Sequence, residues 1–287
     1  MARIAYVNGS YLRHQLASVH IEDRGYQFSD AAYEVIPIIG TVALDTEPHL
    51  DRLARSLREL SIDAPASRPA MRRIIEEVVR RNRLSNGIVY IQVSRGVAPR
   101  DHAFPKNGVR PALVMTAKRL DFDLIRKRQA AGVSVTTHPE IRWRRPDIKS
   151  VSLLGNVLAK ESASGAGAYE AWFVDDEGFV TEGTSTNAWM VSKRGTLVTR
   201  ELGQAILPGI TRAALFSVAD DMKLDIEERA FALDELLAAP EAFLTSSTNF
   251  VMPVVRVNDT VIGNGQPGKV AKGLAKAYWD YVDEVIG

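Results

Sequence analysis

The sequence predicts an α+β protein of two domains, on three observations. Strand-like and helix-like segments mix within the first third of the chain and close a set near residue 120. Residues 121–132 are charged and read as a connecting segment with room for a short helix. The pattern then restarts at Val133, with no internal repeat or low-complexity tract. The expected division is a small N-terminal α+β domain over 1–120, a linker over 121–132 and a larger C-terminal α+β domain over 133–287. A length of 287 residues gives ample core without disulfide or metal staples.

Each element has its own signal. Residues 3–7 and Tyr11 are short strand pieces around the Asn8-Gly9 turn. Residues 33–44 are apolar and β-branched, broken by a turn at Gly40. Leu50, Leu53, Ala54, Leu57 and Leu60 recur at helical spacing, as do Met71, Ile74, Ile75, Val78 and Val79. Asn86-Gly87 releases a strand over 88–94, and 112–117 supplies another. In the second half, strands are expected over 133–137, 171–174 and 179–181, with a helix from about 150 to 164 between the first two. Residues 187–200 read as a hairpin turning at Arg194-Gly195, and 210–222 as a helix. Strands near 225–230, 242–246 and 252–262 precede a terminal helix over 269–285.

Composition excludes several function classes. The 36 Lys and Arg against 35 Asp and Glu leave a formal charge of +1, which offers no whole-molecule field for nucleic acid or an anionic membrane. Neither partner is expected. The absence of cysteine removes disulfides, thiolate zinc, iron–sulfur clusters and a cysteine nucleophile, and fits a cytoplasmic protein. The amino terminus lacks a secretory apolar stretch, and the longest apolar run, 35–44, contains Pro37 and Gly40 and is about half a membrane span. The five histidines are scattered, with no pair at ligand spacing, so no metal site is expected. There is no Gly-x-Ser-x-Gly elbow. Residues 263–268 match a dinucleotide fingerprint literally, but the chain has no room afterwards for a second parallel strand.

Three segments of the second half hold ingredients for a phosphorylated, electron-withdrawing cofactor. In Ile206-Leu207-Pro208-Gly209-Ile210-Thr211-Arg212 an extended piece runs into a helix whose first N–H groups form a natural phosphate seat; a plain helix cap by Thr211 is the equal alternative. In Thr181-Glu182-Gly183-Thr184-Ser185-Thr186-Asn187, Glu182 is the one ionisable group of a hydroxyl-rich loop, and a carboxylate beside a ring nitrogen would hold it protonated; a polar turn is the commoner fate of such a loop. In Arg142-Trp143-Arg144-Arg145-Pro146-Asp147-Ile148-Lys149-Ser150, neighbouring cations favour the neutral amine that a Schiff-base lysine needs, although most lysines are solvated surface groups.

Taken in order, these segments, with Glu22-Asp23-Arg24-Gly25-Tyr26-Gln27-Phe28 upstream, resemble the class IV (fold-type IV) pyridoxal 5′-phosphate-dependent aminotransferases nearly end to end. The resemblance implies a two-domain fold with the active site between the domains and the cofactor in the C-terminal one. It implies that Lys149 is the catalytic Schiff-base lysine and that Glu182 faces the pyridine nitrogen. Phosphate would lie among Arg52, the N–H groups of Ile210 and Thr211, and Ser247, with Leu207 against the ring. On its helix alone, Arg52 lies off the apolar stripe and reads equally well as solvated.

The stretch from Arg95 to Pro105 resembles the carboxylate trap of the D-amino acid enzymes, with Arg100 and His102 reaching in from the partner subunit and Tyr33 assisting. The resemblance thus implies a homodimeric D-amino acid aminotransferase, exchanging an amino group between a D-amino acid of the D-alanine or D-glutamate type and a 2-oxo acid in a ping-pong cycle. Pro208 is the branched-chain form of the phosphate turn, and Thr184 and Thr186 stand where serines are usual. The alternative on the same fold is a branched-chain L-amino acid or (R)-amine transaminase. A lyase of the same family and a non-enzymatic phosphate-ligand binder are further rivals.

Overall fold

The Asn8-Gly9 pair, with φ of 47° and 101°, turns β1 (Ile4–Val7) back onto β2 (Ser10–Arg13). In the computed structural model, which describes residues 3–106 and 108–287, this hairpin opens the first of two units. That unit holds the chain up to Asp121 together with Ile148–Ser152. After a 3₁₀ turn, His14–Leu16, come α1 (Arg24–Phe28), β3 (Ala31–Ile39), β4 (Val42–Ala43), α2 (Thr46–Glu59), α3 (Arg68–Asn82), β5 (Gly87–Ser94) and β6 (Ala112–Arg119). The sheet order is β2-β1-β6-β5-β3-β4. One sheet face packs on α2 and α3, through Leu50, Leu53 and Leu57, and through Met71, Ile75, Val78 and Val79. Ile36, Ile38, Val89, Ile91, Val93 and Met115 meet them from the strands.

The second unit holds Phe122–Asp147 and Leu153–Val285. Its elements are α4 (Phe122–Ala131), β7 (Val133–Pro139), α5 (Leu154–Gly165), β8 (Glu170–Val174), β9 (Val180–Gly183), β10 (Asn187–Val191) and β11 (Leu197–Thr199). There follow α6 (Ile210–Asp221), β12 (Ile226–Glu228), α7 (Leu233–Leu237), β13 (Glu241–Ser246), β14 (Phe250–Val257), β15 (Thr260–Val261) and α8 (Lys269–Ile286). The strand path is β12-β11-β10-β13-β14-β7-β8-β9, and a further pairing of β9 with β10 at Glu182↔Asn187 closes six of the strands into a ring. Phe250 stacks on Tyr278 and on Phe122 and meets Trp279 edge-on, so the first and last helices share one aromatic cluster.

Several elements depart from the sequence expectation. The segment expected as a linker is α4, whose Phe122, Ile125 and Gln129 are buried within the second unit. Its charge pattern is that of an amphipathic helix, not of a tether. The helix expected from about 150 begins at Leu154. Residues 149–151 before it pair with β3 through a bridge at Ala32↔Ser150, where Tyr33 N–H donates to Lys149 O at 2.9 Å and Val151 N–H donates to Ala31 O at 3.1 Å. The short helices α1 and α7 carry too few residues to show a period. After the glycine-rich stretch, the N-terminus of α8 is filled by the protein itself. The Glu241 carboxylate accepts the N–H groups of Val270 and Ala271, and a Cβ on Gly268 would fall 1.9 Å from that carboxyl carbon. No helix of the described residues is long and apolar enough to cross a membrane.

Candidate active site

In the first unit, Lys149 is placed by main-chain pairing with β3. Its own N–H donates to Ser56 Oγ of α2 at 3.2 Å, and its ammonium lies 4.4 Å from the centroid of the Tyr33 ring. Tyr33 stacks in turn on Tyr90, with centroids 5.6 Å apart. Burial, with a smaller contribution from Tyr33, pushes the Tyr90 phenol well above its ordinary range. The structure therefore brings two of the expected residues, Tyr33 and Lys149, together on one strand pairing.

Successive residues of β3 face opposite ways, so Glu34 points to the side of α2. There it is fully buried and receives Arg52 Nε at 2.7 Å, Arg52 Nη2 at 2.9 Å and His49 Nδ1 at 2.8 Å. An ionised carboxylate only accepts, which fixes the proton on Nδ1 of His49. Burial works against the Glu34 charge, but the Arg52 guanidinium outweighs it and holds the carboxyl far below its usual range. Burial likewise lowers the His49 imidazole from its ordinary value, against the pull of Glu34. The solvated alternative for Arg52 is thereby excluded, since the residue is buried in a two-point ion pair.

In the second unit, strand closure gathers motifs that lie 25 residues apart. Glu182 lies next to the end of β9 and is buried, and its Oε2 accepts Asn187 Nδ2 and the Leu207 N–H, both at 3.1 Å. Asn187 also donates to Leu207 O at 3.0 Å, so one amide clamps the 207 turn to the glutamate. Arg142 donates to Glu182 Oε1, and to Glu140 through Nε at 2.9 Å and Nη2 at 2.6 Å. Burial disfavours the Arg142 charge, but Glu182 and Glu140 on either side more than offset it and raise its pKa. Of the other arginines preceding Lys149, Arg145 is engaged by Asp147.

The 207 turn delivers α6. Gly209 is the N-cap, no side chain of the described residues caps the helix, and a Cβ on Gly209 would fall 2.1 Å from Asn187 Oδ1. Ile210 and Thr211 are the first two residues of that uncapped helix, with Thr211 buried. Ser247 lies in the turn after β13, two residues past Thr245, the register partner of Asn187. In the hydroxyl loop, Thr184 and Ser185 donate to buried Glu170, while Thr186 Oγ1 is buried with no hydrogen-bond partner among the described residues.

Arg100 and His102 are exposed on the loop after β5. They share one platform: the Arg100 guanidinium lies 5.0 Å from the Phe28 ring centroid and the His102 ring 5.4 Å. Sequence reasoning gave no role to Glu34, His49, Ser56, Asn187 or Phe28, and read Arg142 as a cation near Lys149, not as the partner of Glu182 and Glu140. Glu34 had a signal, as a carboxylate in the apolar run of β3 on the face of Ile36 and Ile38. Arg142 had none beyond its charge, because its partners are 2 and 40 residues away.

The residues present fit a phosphorylated pyridine. A buried carboxylate with a guanidinium counter-charge, an uncapped helix N-terminus that a Cβ would obstruct, and an unpartnered buried hydroxyl stand along the Glu182–Asn187–Gly209 path. The amino-transferase class IV family model matches residues 31–257. The chain is similar to the D-alanine aminotransferase of Bacillus licheniformis, 40% identical over 270 residues and 94% of each chain. It is also similar to that of Staphylococcus haemolyticus, 35% identical over 97% of each. Among solved structures, the branched-chain aminotransferase of the archaeon Thermoproteus uzoniensis with norvaline superposes with a TM-score of 0.85 at 23% identity, covering 98% of this chain and 95% of that one. The Escherichia coli branched-chain enzyme gives 0.87 at 21%, over 97% and 94%. At this identity the superpositions speak for the fold. With its family model spanning most of its length and relatives aligned almost end to end, the chain belongs to the class IV aminotransferases.

Proposed function

We propose that the protein is a pyridoxal 5′-phosphate-dependent D-amino acid aminotransferase, transferring an amino group between a D-amino acid of the D-alanine or D-glutamate type and a 2-oxo acid. The observation that carries the D-specific part is the exposed Arg100 and His102 pair, gathered on Phe28, because it offers a guanidinium and an imidazole to one carboxylate. End-to-end similarity to two D-alanine aminotransferases supports the same reading.

When bound, pyridoxal 5′-phosphate supplies the electron sink for the substrate α-carbon and carries the amino group between the two half-reactions. Glu182, itself paired with Arg142, would face its ring nitrogen, and the N–H groups of Ile210 and Thr211, with Ser247 and Arg52, would hold its phosphate. Leu207 is the apolar residue for the ring face. Lys149 would hold the cofactor covalently and take the proton from the substrate Cα, its main chain anchored on Ser56 Oγ and its Nζ held over the Tyr33 ring. Tyr33 assists Arg100 and His102 with the carboxylate.

The enzyme is a homodimer in this reading, with Arg100 and His102 serving the neighbouring subunit, and it works in the cytoplasm, where amino and 2-oxo acids are exchanged. An exposed apolar stripe on α5 supports pairing of two copies.

The test is a half-reaction without acceptor, following cofactor absorbance after D-alanine, D-glutamate or L-leucine is added. Bleaching by the D-acids alone is expected. Bleaching by L-leucine alone would move the protein to the branched-chain alternative. In parallel, Lys149→Ala is expected to abolish borohydride-fixed cofactor. A variant still trapping the cofactor on another lysine would remove Lys149 from its role.

A further inference from the structure

The loop bearing Arg100 and His102 is exposed from Pro99 through Phe104 and lies outside any regular element. An exposed loop holds its side chains in one geometry only if its backbone is tied down. Here the ties converge on one buried group. Arg24, 3% exposed, donates from Nη1 to Asp101 O at 2.6 Å, with longer approaches of 3.4 Å to Ala103 O from Nη1 and to His102 O from Nη2. Three successive carbonyls of the loop thus face a single guanidinium.

That guanidinium is itself braced. Its Nε donates to Asp30 Oδ2 at 2.8 Å. Arg95 grips the same carboxylate with Nε at 2.7 Å and Nη2 at 2.9 Å. Arg95 also donates to Leu60 O and Ser61 O, at 2.7 Å each, and lies 3.7 Å from the Phe104 ring centroid. Two cations share one carboxylate, so the uncompensated positive charge is directed at the loop carbonyls. Phe28, at the end of the helix that Arg24 begins, lies 4.8 Å from the Arg24 guanidinium and carries Arg100 and His102 on its ring.

We propose that Arg24, braced by Asp30 and Arg95, and Phe28 are positioning residues that preform the Arg100–His102 pair as a carboxylate receptor and so set the affinity for amino and 2-oxo acids. Arg24 orders the backbone between the two receptor side chains, and Phe28 orders the side chains themselves. The inference rests on the reading of Arg100 and His102 given above.

The experiment compares holoenzyme carrying Phe28→Leu, Arg24→Lys or Arg100→Ala with the parent. It reads kcat and KM for D-alanine, the inhibition constant of propionate, and bound cofactor. Propionate is the substrate carboxylate without the reacting amine. For Phe28→Leu and Arg24→Lys the expected result is a rise of roughly tenfold in both KM and the propionate constant, with kcat and cofactor content near the parent's. A merely structural role would lower the amount of active holoenzyme and leave KM and the propionate constant unchanged. If Arg24→Lys does not yield holoenzyme, Phe28→Leu decides alone. Unchanged KM and propionate constants in Phe28→Leu, with both raised in Arg100→Ala, overturn the inference while the carboxylate-trap reading stands. Parental constants in Arg100→Ala overturn that reading and the inference with it.

Discussion

A single buried carboxylate organises the helix face of the first unit. Glu34 sits in β3 among apolar neighbours, and its ligands, His49 and Arg52, come from one turn of α2. On its helix alone, Arg52 could as well be solvated, because the apolar stripe does not include it. Its partner lies 18 residues away in a strand, beyond any local period. The pH dependence has a definite sign. A carboxyl depressed in the fold contributes stability above its ordinary value of 4.5 and loses it as pH falls through the folded value. A histidine lowered by burial takes up its proton more readily when unfolded, so it too makes the fold weaker as pH drops below 6.5. Glu34→Gln is expected to cost about 3–5 kcal/mol at neutral pH by stranding the Arg52 charge, and to flatten the stability curve below 4.5. Urea titrations from pH 3 to 8 read both; unchanged neutral stability would show that Glu34 does not hold this face.

At the scale of elements, two helices of the second unit start at a glycine and finish their N-termini in opposite ways. At α8 the Glu241 carboxylate accepts the first N–H groups. At α6 no side chain of the described residues caps the helix, and Asn187 blocks anything larger than glycine at 209. Both places were legible as helix starts, from Pro208-Gly209 and from Pro267-Gly268. The resemblance already put the expected phosphate at the α6 start, but the physical difference between the two was not legible, because the groups that make it, Glu241 and Asn187, come from strands elsewhere in the ring. Glu241→Ala is expected to lower the melting temperature through a cap loss of about 1–2 kcal/mol, with pyridoxal phosphate retention intact. Gly209→Ala is expected to push aside the Asn187 amide at a cost of about 1–3 kcal/mol and to weaken cofactor retention. Calorimetry beside cofactor titration separates them. If Gly209→Ala retains the cofactor as the parent does, the α6 N-terminus is not the phosphate seat.

At the scale of the whole molecule, the break in pattern near residue 120 and the restart at Val133 were visible as changes of period. The return of Ile148–Ser152 to the first unit was not, because a five-residue run outside any helix or strand has no period to read. That excursion places Lys149 on β3 and leads directly into α5, whose outer face bears on assembly. Leu154, Val157 and Leu158, spaced i, i+3 and i+4, are 71%, 58% and 54% exposed, while Ala159 and Ala163 turn inward. Such a stripe is an unusual solvent face for a monomer, and a formal charge of +1 gives little repulsion between copies. In the proposed homodimer the stripe is covered, so Leu158→Glu would place a charge in an apolar contact. The expected outcome in sedimentation velocity at micromolar concentration is a shift from dimer to monomer. Transaminase activity should fall with it, because Arg100 and His102 then lose the subunit they serve. A parent enzyme that sediments as a fully active monomer would end the homodimer proposal. A Leu158→Glu variant that stays dimeric and active would place the subunit contact on another face.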